Sequence, residues 1–158
     1  FISSRLDYCN ATLYGVAAGN IHRLQVVMNA AARLVTKTGR YEHITPVLRD
    51  LLHWLPVQQR IIFKIAVLAF NCIRGTGPVY FNDVCVPLAC IPGRTCLRAA
   101  SCGDLLVPAT KTMIGGRSFR IAAPTVWNSL PLHLHDNTIS ERQFKSGLKT
   151  HLFNLAYK

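Results

Sequence analysis

Acidic side chains are scarce in this chain. Seven Asp and Glu stand against 18 Lys and Arg in 158 residues. The seven are Asp7, Glu42, Asp50, Asp83, Asp104, Asp136 and Glu141, with no adjacent pair and no Asp-x-Asp. Enzymes that make or break phosphodiesters with two metal ions need clustered carboxylates to hold them, so we expect no such catalytic centre and no metal site. A Walker-type glycine loop and a Gly-x-Ser-x-Gly elbow are missing too, and no nucleophile comes with an identifiable base. Long apolar runs are also absent. The longest, Ile61 to Ile73, is interrupted by Lys64 and Asn71 and is shorter than the roughly 20 residues of a membrane span. It is expected to be a core helix, with no membrane partner. The chain opens on Phe1 with no initiator Met, in the middle of an apolar pattern, from which we expect a piece of a longer protein.

What the chain has in excess is positive charge, +11 with a pI near 9.9, and such a surface attracts polyanions. The cations are spread along the sequence. Asp7 to Glu42 encloses Arg23, Arg33, Lys37 and Arg40 with no carboxylate between, and Asp104 to Asp136 encloses Lys111, Arg117 and Arg120. Phosphate contact would therefore draw on several elements rather than on one basic tail.

The six cysteines, at 9, 72, 85, 90, 96 and 102, are even in number but do not call for a disulfide framework. The chain is long and apolar enough to build a core, and Cys9 and Cys72 sit in apolar helical patterns, where a free thiol packs as a small hydrophobe. Cys85, Cys90, Cys96 and Cys102 are separated by four, five and five residues, unlike the close pairs of structural zinc sites. We expect free thiols and no zinc. His133 and His135 are expected as solvated turn residues, and His53 as a packing residue beside Trp54.

The expected fold is mainly α: a helical bundle over residues 1–88, a loop-rich linker over 89–104, and a C-terminal subdomain over 105–158 with a small β element and a terminal helix. Ile2, Leu6, Cys9 and Leu13 have helical spacing up to Gly15. After an Asn20 cap, Ile21, Leu24, Val27, Met28, Ala31, Leu34 and Val35 form one stripe that reads as core. Thr45 and Pro46 read as N-cap and first helical residue of a short helix ending near Leu52. Val57 to Arg74 reads as a helix stopped by Gly75. Leu105–Val107 and Met113–Ile114 read as strand residues, with Gly115-Gly116 as a turn into Arg117–Ile121. Ser140 and Gln143 have capping-box spacing, Ile139 and Phe144 staple spacing, and Phe144, Leu148, Leu152 and Leu155 line one face of the last helix.

Three stretches carry a resemblance: Ser3 to Asn10 followed by Leu13-Tyr14-Gly15, LQVVMNAAARLV from Leu24, and HITPVLRDLLHWLPVQQRIIFKI from His43. They resemble the segment after the polymerase palm in LINE-type, non-LTR retrotransposon reverse transcriptases of the jockey kind. The block Ala123 to Pro131, APTVWNSLP, with Phe144-Lys145 and Leu148 to Phe153, resembles the end of the same reading frame. One departure is the Leu51-Leu52 pair, where the family pattern has a single Leu before His-Trp-Leu-Pro; one extra helical residue turns the succeeding face by about 100°.

The resemblance implies a thumb-like bundle that holds a template-primer duplex. Endonuclease and palm, with the carboxylates that hold Mg2+ in the parent polymerase, would lie upstream. This chain alone is then not an enzyme and needs no cofactor of its own. Its partners would be element RNA, RNA–DNA hybrid and the palm, in a reducing, intracellular, nuclear and cytoplasmic setting. The expected phosphate contacts, chosen from charge placement, are Arg23, Arg33, Lys37, Arg40, Lys111, Arg117, Arg120, Lys145 and Lys149. Two other readings fit the same features: a scaffold that stabilises the polymerase without touching nucleic acid, and a host protein derived from the element.

Overall fold

A computed structural model describes residues 2–81, 83–93, 95–136 and 138–158. Its α-helices are α1 (Ile2–Asp7), α2 (Ala18–Thr36), α3 (Ile44–Pro46), α4 (Val57–Ile73), α5 (Arg98–Ser101), α6 (Met113–Gly116), α7 (Phe119–Asn128) and α8 (Glu141–Ala156). The architecture is mainly α, as its sequence periods require.

α4 is the central element. Val57, Ile61, Ile65, Ala66, Val67, Ala69, Phe70 and Cys72 are all buried, so the helix is covered on more than one face, which suits its almost unbroken apolar sequence. α2 packs against it through Met28 and Ala32, α7 through Ala122, Ala123, Val126 and Trp127, and α8 through Phe144, Leu148 and Leu152. Phe70 stacks on Phe144 with centroids 4.4 Å apart, and Phe144 lies 5.9 Å from Trp127. One apolar core thus includes residues from Met28 to Leu152.

The helix ends follow local chemistry. Gly75 takes φ +68°, while Thr76 N–H donates to the Asn71 carbonyl at 2.9 Å and Gly75 N–H to that of Cys72 at 3.1 Å; this is the left-handed stop that ends α4. At α8 the Ser140 hydroxyl accepts from Gln143 N–H while Gln143 Oε1 accepts from Ser140 N–H, completing the capping box. Elsewhere the start signals are displaced. α2 begins at Ala18, so Asn20 lies in its first turn, and α3 begins at Ile44, so Thr45 and Pro46 are already helical. α1 stops at Asp7, and Cys9, at φ 51°, separates it from a 3-10 turn over Asn10–Leu13. Cys9 is exposed rather than packed.

Beyond α3 the chain widens into a π-turn, Val47–Leu51. Leu52 N–H donates to the Val47 carbonyl at 2.9 Å, and Trp54 N–H reaches back to the Leu48 carbonyl, also 2.9 Å, across a left-handed His53 at φ 50°. Both bonds span one residue more than in an ordinary α-turn and its cap. The Leu51-Leu52 pair sits in this widened turn.

The expected small β element is not formed. Among the described residues the only β pairing is one isolated antiparallel bridge between Pro87 and Leu105. Gly115 and Gly116 do not take the positive φ that a tight hairpin turn demands. They belong to α6, whose first turn is closed by the Thr112 hydroxyl accepting from Gly115 N–H at 3.0 Å. Phe119 to Ile121 open α7, where Ala122, Ala123, Val126 and Trp127 bury at helical spacing around the internal Pro124.

Leu105 finds its partners in a side chain instead. Asn128 Oδ1 accepts from Leu105 N–H at 2.8 Å, and Asn128 Nδ2 donates to the Leu105 carbonyl at 2.9 Å. Trp127 Nε1 donates to the Gly103 carbonyl at 3.0 Å. His135, expected to be solvated, has a side chain only 4% exposed. Its two ring nitrogens lie 2.9 Å from the Cys102 and Trp127 carbonyls, and it stacks on Trp127. The Trp127–Asn128 pair with His135 therefore clamps the 102–105 segment onto the end of α7.

A second correction concerns α2. Its sequence stripe reads as core throughout, yet only Met28, Ala31 and Ala32 are buried. Val27 is 48% exposed, Leu34 79% and Val35 65%. Ile21 and Leu24 are partly buried against the core, while Val27, Leu34 and Val35 face outward.

Candidate nucleic-acid interface

Each of the nine expected cations is set by its element. Arg23 is on an exposed side of α2. Arg33, near the end of α2, turns back on the adjoining loop: Nη1 donates to the Gly39 carbonyl and Nη2 to that of Glu42 at 2.8 Å. Lys37 caps α2 in the left-handed conformation, and Arg40 is exposed in the loop that Arg33 ties down. Lys111 precedes α6, and Arg120 lies in the first turn of α7; both are exposed. Arg117 Nε donates to the Tyr14 carbonyl at 3.3 Å, and its aliphatic stem covers Gly15 so closely that a Cβ there would lie 2.7 Å from Arg117 Cγ.

On α8 the buried stripe of Phe144, Leu148 and Leu152 leaves Lys145 and Lys149 exposed on the outer side. Lys145 pairs with Glu141 at 2.6 Å. That hydrogen bond holds the Glu141 carboxyl below the usual carboxylate range. Lys149 has no carboxylate partner among the described residues and lines a cavity.

The nine fall into an α2 group, an α6–α7 group and an α8 group. Two of them, Arg33 and Arg117, are engaged with backbone carbonyls. Arg23, Lys37, Arg40, Lys111, Arg120 and Lys149 have no carboxylate within 4 Å among the described residues. Lys or Arg pairs with a carboxylate at Arg49–Asp50, Arg60–Asp7 and Lys145–Glu141, so among the described residues those six cations stay uncompensated.

The cavity beside Lys149, about 330 Å3, lies where α1, the 3-10 turn, the 53–55 segment, α4 and α8 meet. Sequence reasoning named Lys149 but missed Arg60 and Lys64, because Lys64 reads only as an interruption of an apolar run. The signal was its spacing of four from Arg60, which places both on one side of α4. Arg60 Nη1 meets Asp7 Oδ2 at 2.7 Å, Nε donates to the Leu55 carbonyl at 3.0 Å, and the guanidinium lies 6.0 Å from the Trp54 ring centroid. Trp54 is fixed in turn by the Tyr157 hydroxyl, which donates to its carbonyl; burial pushes the Tyr157 phenol up. Asn10, only 3% exposed, lines the cavity, and its Oδ1 has no hydrogen-bond partner among the described residues.

Other chemistry is sparse. Among the described residues no three of His, Cys, Asp and Glu gather as a metal-holding group, and no helix is long and apolar enough to cross a membrane. Cys72 and Cys85 are buried free thiols, and burial pushes Cys85 up to about 12, far from a reactive thiolate. In comparison with known proteins, the chain matches no family model, no curated protein and no solved structure.

Proposed function

We propose that this chain binds RNA or an RNA–DNA duplex through backbone phosphates, as the thumb and post-polymerase region of a LINE-type reverse transcriptase. The observation that carries the reading is the set of exposed cations without carboxylate partners, spread over α2, the α6–α7 turn and α8. Uncompensated charge on several elements suits a long polyanion, and contact with phosphate rather than with base edges makes such binding tolerant of sequence. Contacts fall first on Arg23, Lys37, Arg40, Lys111, Arg120 and Lys149. Arg33, Arg117 and Lys145 are already engaged, and reach phosphate only with their remaining donors.

Two features support the family assignment. The one residue by which the chain exceeds the family pattern falls in the π-turn, where an inserted residue is taken up without turning the segments beyond it. The outward stripe of α2, with Val26, Val27, Leu34 and Val35 exposed, suits packing by the upstream palm. In that arrangement Mg2+ is held by palm carboxylates outside this chain. The chain's own part in target-primed reverse transcription is to hold the duplex.

The test is salt dependence. Fluorescence anisotropy with a labelled RNA–DNA hybrid should give a plot of log K against log salt that falls by roughly 0.7 to 0.9 per phosphate contact. Replacing Arg23, Lys111 or Arg120 with Gln should shallow the slope by about one unit each, equally across unrelated sequences. Salt-independent association, or no binding by the folded chain, refutes the reading and leaves the scaffold role.

A further inference from the structure

The cavity beside Lys149 carries more than surface charge. It is lined by Trp54, Phe63 and Asn10 together with Lys64 and Lys149, both of them exposed. A buried polar atom with no partner is rare enough to need a reason, and Asn10 Oδ1 is such an atom. The ligand must therefore combine three properties: a flat apolar face for the rings, a polar edge for an amide, and negative charge for the lysines.

Other ligand classes supply only part of this. An aliphatic ligand leaves Asn10 unmatched. A metal cation meets Arg60, Lys64 and Lys149 against the single carboxylate of Asp7, which Arg60 already occupies. A nucleotide has all three properties, because every base has a stacking face and a hydrogen-bonding edge and carries phosphate beside it. The volume of about 330 Å3 is at the small end of ligand sites, which fits one nucleotide rather than several.

We propose that this cavity takes one unstacked nucleotide of a single strand, its base against Trp54 and Phe63, its edge on the Asn10 amide and its phosphate on Lys64 and Lys149. The assignment rests on the nucleic-acid reading above and adds to it a site for an unpaired nucleotide next to the duplex.

Tryptophan emission tests it directly. Trp127 is 3% exposed and gives a constant background, so quenching reports Trp54. A short single-stranded oligoadenylate should quench the emission, whereas a blunt RNA–DNA duplex should bind without quenching. Lys64→Gln with Lys149→Gln, both at exposed positions, should weaken the strand by about tenfold with the circular dichroism spectrum unchanged. Asn10→Leu should weaken quenching by removing the Oδ1 acceptor at the base edge.

Duplex binding with its salt slope, but no quenching by the strand, overturns the site and leaves the proposed function standing. Adenosine monophosphate quenching as tightly as the strand assigns the cavity to free nucleotides and overturns the strand reading. If neither duplex nor strand binds, the proposed function falls first and the site with it.

Discussion

Asn128→Ala should be among the costliest single substitutions outside the apolar core. The Asn128 amide makes two hydrogen bonds to the backbone of Leu105, at 2.8 and 2.9 Å, and Leu105 is 2% exposed. Truncation removes both bonds and leaves a buried N–H and a buried carbonyl. An ordinary intramolecular hydrogen bond contributes about 1 kcal/mol net, but each polar group left buried without a partner costs about 1–3 kcal/mol. Asn128 is itself only half-buried, so water reaches part of the gap, and the expected loss is about 2–4 kcal/mol. Against a total stability of about 5–15 kcal/mol, that is a drop in Tm of roughly 5–15 °C for a chain of this size. Thermal and urea unfolding followed by circular dichroism measure it.

Asn128→Asp sharpens the test. It keeps an acceptor for the Leu105 N–H but sets a carboxylate oxygen against the Leu105 carbonyl. Its protonated form, which can donate, is favoured in the folded state, so this variant should gain stability relative to wild type as pH falls. A loss below about 0.5 kcal/mol for Asn128→Ala, the range of an ordinary surface change, would show that the amide clamp does not hold the 102–105 segment.

Gly75→Ala should cost about 1 kcal/mol in urea unfolding, because φ +68° is strained for any residue with a Cβ, and Ser140→Ala should cost about as much through the lost cap of α8. Thr138 donates to Asp136 from its N–H and its hydroxyl, both at 2.8 Å, and these bonds hold the Asp136 carboxyl below its ordinary value. The group therefore adds stability that is present above the unfolded-state value, about pH 4, and is lost as pH falls through the lower folded-state one. Asp136→Asn should flatten that limb of the urea midpoint against pH, and an unchanged limb would count against the assignment. Alkylation by iodoacetamide, read by mass spectrometry, should reach the exposed Cys9, Cys90 and Cys96 well before the buried Cys72 and Cys85.

Two signals confined to a few consecutive residues were legible in the sequence, whereas the helix starts expected at Asn20 and Thr45 were displaced. The Gly75 stop and the Ser140–Gln143 box depend on neighbours within one turn, and both form as expected. The β expectation at 105–121 failed for a related reason: two adjacent glycines and a proline outweighed the helical spacing of Phe119, Ala122, Ala123, Val126 and Trp127. On α2, periodicity identified the apolar face but not whether anything covers it, since burial depends on where the other helices pack. The candidate site was least legible of all. Arg117 reaches a carbonyl 103 residues away in sequence, and the cavity joins Asn10, Lys64 and Lys149 from three distant segments. Charge placement alone does not separate a cation that holds the backbone from one left free for a ligand.

The π-turn at Val47–Leu51 bears on how this stretch tolerates change in length. An insertion within regular helix rotates everything after it, whereas a π-turn holds one residue more than an α-turn; here Leu51 is 68% exposed, while Leu48 before it and Leu55 after it stay in the core. Gain or loss of one residue here is expected to be absorbed at the surface, as at an expansion joint. Deletion drift should therefore be visible at this point of the chain sooner than anywhere within α4, where the same loss would swing Ile61, Ile65 and Phe70 out of the core together.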